Sequence, residues 1–158
     1  MTLTIRRAAA ADAQIIAENN CALAWETEQL RLNPAIVAAG VRMGLQRAPE
    51  ARYFVAELAG RVVGQLMYSR EWSDWRNGWI IWLQSVYVSA EYRQQGVFRQ
   101  LLEQSAAEVS REDRPVCLRL YVDQQNRAAT GCYERLGFAA DNYRVMEKQL
   151  RMPDATEG

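Results

Sequence analysis

The residue types and spacing best suited to chemistry lie between Gln84 and Leu102, in the run QSVYVSAEYRQQGVFRQLL. It reads as the end of a strand at Val86, Tyr87 and Val88, a short turn, a basic glycine-containing loop from Arg93 to Gly96, and then a helix. Backbone N–H groups gathered at a helix N-terminus suit a phosphate, because the helix dipole and the unpaired donors both favour an anion. Gly96 lets the backbone approach such a ligand closely, since it has no Cβ. The competing use of the same residues is an ordinary strand-to-helix turn with solvated arginines. A single glycine loop does not separate the two.

Absences narrow the chemistry. The 158 residues include no histidine, which excludes Ser-His-Asp triads, His-ligated zinc and histidine bases. Cys21, Cys117 and Cys132 are far apart and sit in apolar sequence, so they read as buried thiols rather than metal ligands or nucleophiles. No metal is expected. Nineteen basic and nineteen acidic residues cancel, which gives no sign of a nucleic-acid surface. No stretch approaches the roughly 20 apolar residues of a membrane span. The first ten residues carry Arg6 and Arg7 without a signal-peptide core, so the expected location is the cytoplasm. The length and a 49% hydrophobic content suit one domain with a core of its own.

The elements that must position the loop follow from periodicity. Leu3 to Ala8 reads as a strand, and Ala10 to Ala24 as a helix with Ile15, Ile16, Asn19 and Leu23 on one side. Trp25-Glu26-Thr27-Glu28 reads as an aromatic and acidic break. Asn33-Pro34 starts a second helix, with Asn as cap and Pro in its first turn. Tyr53 to Leu58 and Arg61 to Ser69 form a hairpin about Ala59-Gly60. Trp79 to Val88 is apolar on both faces, as a central strand is. After the helix that follows Gly96, which carries Phe98, Leu101, Leu102, Ser105 and Val109 on one face, Pro115 to Val122 reads as a strand. Asn126 caps a helix that stops at Gly137. Tyr143 to Leu150 is expected as a last strand and 151–158 as a frayed tail. The order β-α-α-β-β-β-α-β-α-β is that of a mixed α/β domain over residues 1–150.

That order and two motifs resemble the GNAT-type N-acetyltransferase superfamily. Arg93-Gln94-Gln95-Gly96-Val97-Phe98 is close to the family's [Q/R]-x-x-G-x-[G/A], and Asn126, Ala129, Tyr133, Gly137 and Phe138 match its later helix motif. The resemblance covers about residues 3 to 150. It implies a central, mostly antiparallel twisted sheet flanked by helices, acetyl-CoA as co-substrate, and acetyl transfer to a primary amine by direct attack. Carried over, the amides of Gln95, Gly96, Phe98 and Arg99, with the charge of Arg93, hold the coenzyme A pyrophosphate, and Gln94 and Val97 complete the cofactor-binding loop. The main chain of Val86, Tyr87 and Val88 pairs with the pantetheine arm. Asn126 contacts the cofactor, and Tyr133, a phenol of pKa about 10, is the general acid for the leaving thiolate.

Two positions depart from the family pattern. Phe98 stands at the small-residue position, with its ring either packed on the core face or intruding on the cofactor. Gln84 replaces a glutamate common in relatives and cannot accept a proton. Deprotonation then falls to a water held by Gln84, to another carboxylate, or to an amine that arrives neutral. Trp25, Glu26 and Glu28, with Glu71, Trp72 and Asp74, lie in the two regions that wall the family's acceptor site, where acids and aromatic faces can hold a cationic amine. A solvated loop with packed aromatics is the competing reading. The acceptor is expected to be a small or amino-acid-like amine, and a homodimer is compatible with the aromatic content. A non-catalytic acyl-CoA-binding sensor is the rival function.

Overall fold

Five strands form one sheet in the order β1-β2-β3-β4-β5. They are β1 (Leu3–Arg7), β2 (Ala51–Leu58), β3 (Arg61–Ser73), β4 (Gly78–Val88) and β5 (Pro115–Leu120). The computed structural model describes residues 2–150, so the expected tail at 151–158 lies outside the described residues. The described residues also form four α-helices: α1 (Ala13–Glu28), α2 (Pro34–Leu45), α3 (Val97–Val109) and α4 (Arg127–Arg135). The first four strands pair antiparallel, and β4 pairs parallel with β5. Contacts divide the chain after Tyr121 into two compact units, the first holding the sheet and α1–α3, the second beginning at Val122 and holding α4.

Within the first unit the period-2 alternation of β2 assigns the helices to faces. Tyr53 and Val55 join a buried cluster with Ile16 and Ala17 of α1 and Val41 of α2. Phe54 points the other way and meets Tyr68 edge-on at 5.9 Å; the Tyr68 hydroxyl in turn bonds Ser105 of α3 at 2.9 Å. Helix α3 buries Val97, Leu101, Leu102, Ser105 and Val109. Each large aliphatic side chain so buried contributes about 1.5–3 kcal/mol. Val97, rather than Phe98, completes that stripe, because 97, 101, 105 and 109 repeat every four residues while Phe98 is half-buried. Gly64 makes room for it: a Cβ there would stand 3.2 Å from Val97 Cγ1.

Two expectations are corrected. Trp25 to Glu28 is not a break but the last turn of α1, which ends only at Gln29, where φ is +55°. No glycine or proline interrupts the chain before Pro34, and glutamates tolerate a helix well. The final strand expected at Tyr143–Leu150 is not formed; residues 143–150 carry no regular structure. Tyr143, Val145, Met146 and Leu150 remain exposed there, so no apolar face is available to reward a ladder.

The start of α1 is tied to the sheet edge by a charge cluster. Arg6 makes a two-pronged contact with Asp12 at 2.8 and 3.0 Å, and its guanidinium also reaches Glu57 at 2.7 Å. Asp12, buried, also accepts the Ala9 N–H at 2.7 Å. The Arg6 guanidinium holds the Asp12 carboxyl below the usual carboxylate range, against the opposing effect of burial. A carboxylate with a depressed native pKa stabilises the fold above its ordinary pKa of about 3.9, and that contribution is lost as pH falls through the native value. Asp12→Asn is expected to cost about 2 kcal/mol near neutral pH and to flatten the acid limb of stability, as read from denaturant midpoints across pH.

Candidate active site

The sheet opens at the centre of the first unit. The β4–β5 ladder ends at the pair Leu83↔Leu120, yet β4 runs on through Gln84–Val88 beside β3. In the β3–β4 ladder Gln65 faces Tyr87 and Met67 faces Gln84, so Leu66 alone opposes Ser85 and Val86. That extra residue is a β-bulge, and Ser85 takes φ +52° to make it. Ser89 N–H bonds Val63 O at 3.0 Å, which makes the neighbouring Gly64↔Val88 pair a non-hydrogen-bonded one. The N–H and C=O of Val88, and by alternation those of Val86, therefore point away from β3, toward the edge that β5 leaves.

The bulge is held from α1 by side-chain amides. Asn19 Nδ2 donates to Gln65 Oε1 at 2.9 Å, and Gln65 Nε2 donates to Asn20 Oδ1 at 2.9 Å. Gln65 also reaches the Ser85 carbonyl at 3.5 Å. Gln65 is 1% exposed and Asn19 7%. A buried polar group must be paired or it destabilises the fold, so these amides specify one placement of α1 over the bulge. Sequence reasoning missed this network. Its signal was present, because Gln65 is the one polar residue in the run Val62 to Met67 and Asn19 falls on the apolar side of its helix.

The loop after β4 has the expected form. Gln94 (φ +61°) and Gly96 (φ +79°) are both left-handed, and Gly96 caps α3. Gln100 N–H is bonded to Gly96 O at 3.1 Å, so it is the first donor that the helix itself satisfies. The amides of Val97, Phe98 and Arg99 precede it, in the first turn of α3 at the positive end of the helix dipole. Gln95 Nε2 donates to Glu91 O at 2.7 Å, which braces the turn. Arg93 is exposed but paired. Its Nε donates to Val88 O at 2.7 Å, its Nη2 pairs with Glu26 Oε2 at 2.7 Å, and its guanidinium lies 5.3 Å from the Tyr87 ring centroid. Tyr87 Oη donates to the other Glu26 oxygen at 2.9 Å. Burial, then the Glu26 carboxylate, pushes the Tyr87 phenol up.

The expected acceptor residues lie at several places in the first unit. Glu26 meets Tyr87 and Arg93, while Glu28 is exposed in the last turn of α1. Trp25 flanks a shallow cleft of about 350 Å³ that Cys21, Leu30, Arg31 and Leu32 complete, and Arg31 already lies 4.8 Å over its ring. Glu71 and Trp72 project to opposite faces of β3. Glu71 accepts from Trp82 Nε1 at 2.7 Å, whereas Trp72 packs edge-on against Trp79 at 5.0 Å. Asp74, in the turn after β3, accepts the Trp75 N–H at 2.9 Å. Gln84 is half-buried beside the bulge. The three cysteines are half-buried thiols, and among the described residues no cluster of Cys, Asp and Glu could hold a metal.

The second unit carries the later motif. Asn126 Oδ1 accepts the Ala129 N–H at 3.0 Å and so caps α4. The helix closes with Phe138 N–H on Tyr133 O and Gly137 N–H on Glu134 O, both at 3.0 Å, with Gly137 at φ +92°. This is the Schellman arrangement, and its usual apolar contact is made by the Tyr133 and Phe138 rings at 5.7 Å. Burial, with a smaller effect from Cys132, pushes the Tyr133 phenol above its ordinary value.

A sheet whose parallel pair splays beside a glycine loop and a helix N-terminus is the architecture of an acetyltransferase. The profile of the Acetyltransferase (GNAT) family matches residues 15–138, and the chain belongs to that family. A possible acetyltransferase from Clostridium difficile 630 is 36% identical, with a TM-score of 0.87 over 96% of this chain and 100% of that one. A predicted acetyltransferase with acetyl-CoA from Clostridium acetobutylicum is 13% identical, with a TM-score of 0.76 over 93% and 96% of the two chains. A ribosomal-protein-alanine N-acetyltransferase from Brucella melitensis biovar Abortus 2308 is 17% identical, with a TM-score of 0.73 over 94% and 100%. The latter two likenesses concern the fold. No curated protein sequence matches the chain. Among the described residues no helix is long and apolar enough to cross a membrane.

The amide network makes its own prediction. Gln65→Leu strands the Asn19 donor and the Asn20 acceptor, and is expected to destabilise the fold by about 2 kcal/mol in a denaturant titration. A loss below the error of that titration would remove the network from the forces that hold the bulge.

Proposed function

We propose that the protein transfers an acetyl group from acetyl-CoA to the nitrogen of a primary amine, a small or amino-acid-like molecule. The observation that carries this reading is the open β4 edge beyond Leu83, continuous in sequence with the Gly96 loop and the α3 N-terminus. The residues present fit the group. The edge offers main-chain donors and acceptors to an amide-containing arm, and the loop offers amides and a helix dipole to a pyrophosphate. The family profile spans both compact units, which supports reading them as one catalytic domain.

Acetyl-CoA supplies a thioester whose carbonyl carbon an amine can attack. The main chain of Val86 and Val88 orients the arm by strand-like pairing, with Tyr87 locking the strand between them. The amides of Gln95, Gly96, Val97, Phe98 and Arg99, with the Arg93 and Gln94 turn, bind the phosphates. Asn126, beyond capping α4, contacts the cofactor. Tyr133 holds a proton at Oη and gives it to the departing sulfur. Its raised pKa keeps that proton in place at neutral pH, which is what an acid needs and a base does not. Gln84 is an amide, so its part in removing the amine proton is to orient a water, not to take the proton.

Release of free thiol from acetyl-CoA against a panel of amines tests the reading directly; no amine-dependent release from any member would overturn it. Tyr133→Phe is expected to lower turnover about 100-fold while leaving acetyl-CoA affinity nearly unchanged. Because the phenol is shifted upward, Tyr133-dependent activity should persist to about pH 10, and a wild-type rate that falls with an apparent pKa near 7 would assign that limb to another group. Gly96→Asp places a carboxylate and a strained φ in the loop, and should weaken acetyl-CoA binding at least about tenfold by calorimetry.

A further inference from the structure

Arg93 and Glu26 were expected on different substrates, yet they hold each other. Both carboxylate oxygens of Glu26 are engaged, one by Arg93 Nη2 at 2.7 Å and one by the Tyr87 hydroxyl at 2.9 Å. Glu26 lies seven residues after Asn19, two helical turns along the same side of α1 that faces Gln65. Arg93 meanwhile covers a main-chain group of the open edge, since its Nε donates to the Val88 carbonyl at 2.7 Å. That carbonyl points away from β3, where an added strand would seek it.

We propose that Glu26 and Arg93 form a latch released by the cofactor, so that Glu26 becomes available to the ammonium group of the acceptor only once coenzyme A is bound. The inference rests on the coenzyme A reading above. The diphosphate takes the Arg93 guanidinium from Glu26, and the same movement uncovers the Val88 carbonyl for the arm. The exchange is favoured by chemistry. The side chains of Arg93 and Glu26 are 42% and 39% exposed, and an ion pair at such exposure is weak and screened by salt. A diphosphate offers the planar guanidinium two charged oxygens in a matching fork, with helix amides beside it. Glu26 is then left with the Tyr87 hydroxyl and an uncompensated charge, which suits a protonated amine. Linkage requires the converse as well: a cation on Glu26 tightens coenzyme A by the same factor.

The test is calorimetric and needs no turnover. Coenzyme A is titrated into the wild type, Glu26→Gln, Arg93→Gln and the double variant, each checked for an unchanged melting profile. Spermidine, as a cationic amine probe, is then titrated with and without coenzyme A. Glu26→Gln is expected to tighten coenzyme A about threefold, Arg93→Gln to weaken it about tenfold, and Glu26→Gln to have no effect in the Arg93→Gln background. Spermidine should bind the wild type about threefold more tightly with coenzyme A present, the same factor by which Glu26→Gln tightens coenzyme A, and should lose that gain in Glu26→Gln. If Glu26→Gln weakens coenzyme A as Arg93→Gln does, the pair is a fixed strut and the latch is wrong. Spermidine affinity that ignores either coenzyme A or Glu26, or no binding to the wild-type complex, overturns the role given to Glu26. A folded wild type with no affinity for coenzyme A would instead bring down the underlying cofactor reading.

Discussion

The interruption of one hydrogen-bond ladder governs the rest of the molecule. A strand inside a sheet normally satisfies both edges, and β4 does so only as far as Leu83, where β5 ends at Leu120. Beyond that point the chain has to keep β4 straight enough to pair with β3 while leaving its other edge for something else. The Ser85 bulge is the local solution, because one extra residue opposite Leu66 re-aims the main chain without ending the strand. A left-handed serine is unfavourable by itself and persists where its surroundings over-determine it. Here those surroundings include the amides of Asn19, Asn20 and Gln65.

Helix α1 thereby serves two positions at once. Its buried side reads the bulge through Asn19 and Asn20, and two turns later the same side carries Glu26 to Tyr87 and Arg93. One rigid rod links the place where the strands part to the loop that follows β4. The polar contacts differ in character along that rod. The amide network is buried and intolerant of loss, whereas the ion pair is half-exposed and exchangeable. A fixed hinge beneath a loose end is what a protein needs if binding at the loop is to be felt at α1.

Much of this was legible in the residues. Asn33-Pro34, Ala59-Gly60 and Gly137 each act through their own backbone preferences, and the structure places a helix start, a two-residue hairpin turn and a helix stop there. The Gly96 loop followed for the same reason, since a left-handed residue before a helix is a local matter. The readings that failed depended on neighbours. Trp25 to Glu28 looked like a break because its charges were imagined in solvent, and Tyr143 to Leu150 looked like a strand because nothing in its pattern says whether a partner edge is offered. Where adjacent Glu71 and Trp72 point was likewise settled by pairing, since alternation along β3 sends them to opposite faces.

The sequence by itself determined the family and the order of the elements as far as α4, because turn residues, caps and hydrophobic periods act over a few positions and need no distant contact. It also determined which residues could do chemistry, since an amide cannot take a proton and a chain without histidine cannot use one. Only the tertiary structure decided which of those residues meet. Glu26 and Arg93 are 67 positions apart, and Asn19 and Gln65 are 46 apart. Contacts at such separations arise from the packing of a helix on a sheet, and the pairing of two strands is what brings their elements together. No local pattern encodes them, so the loop was readable in advance and its latch was not.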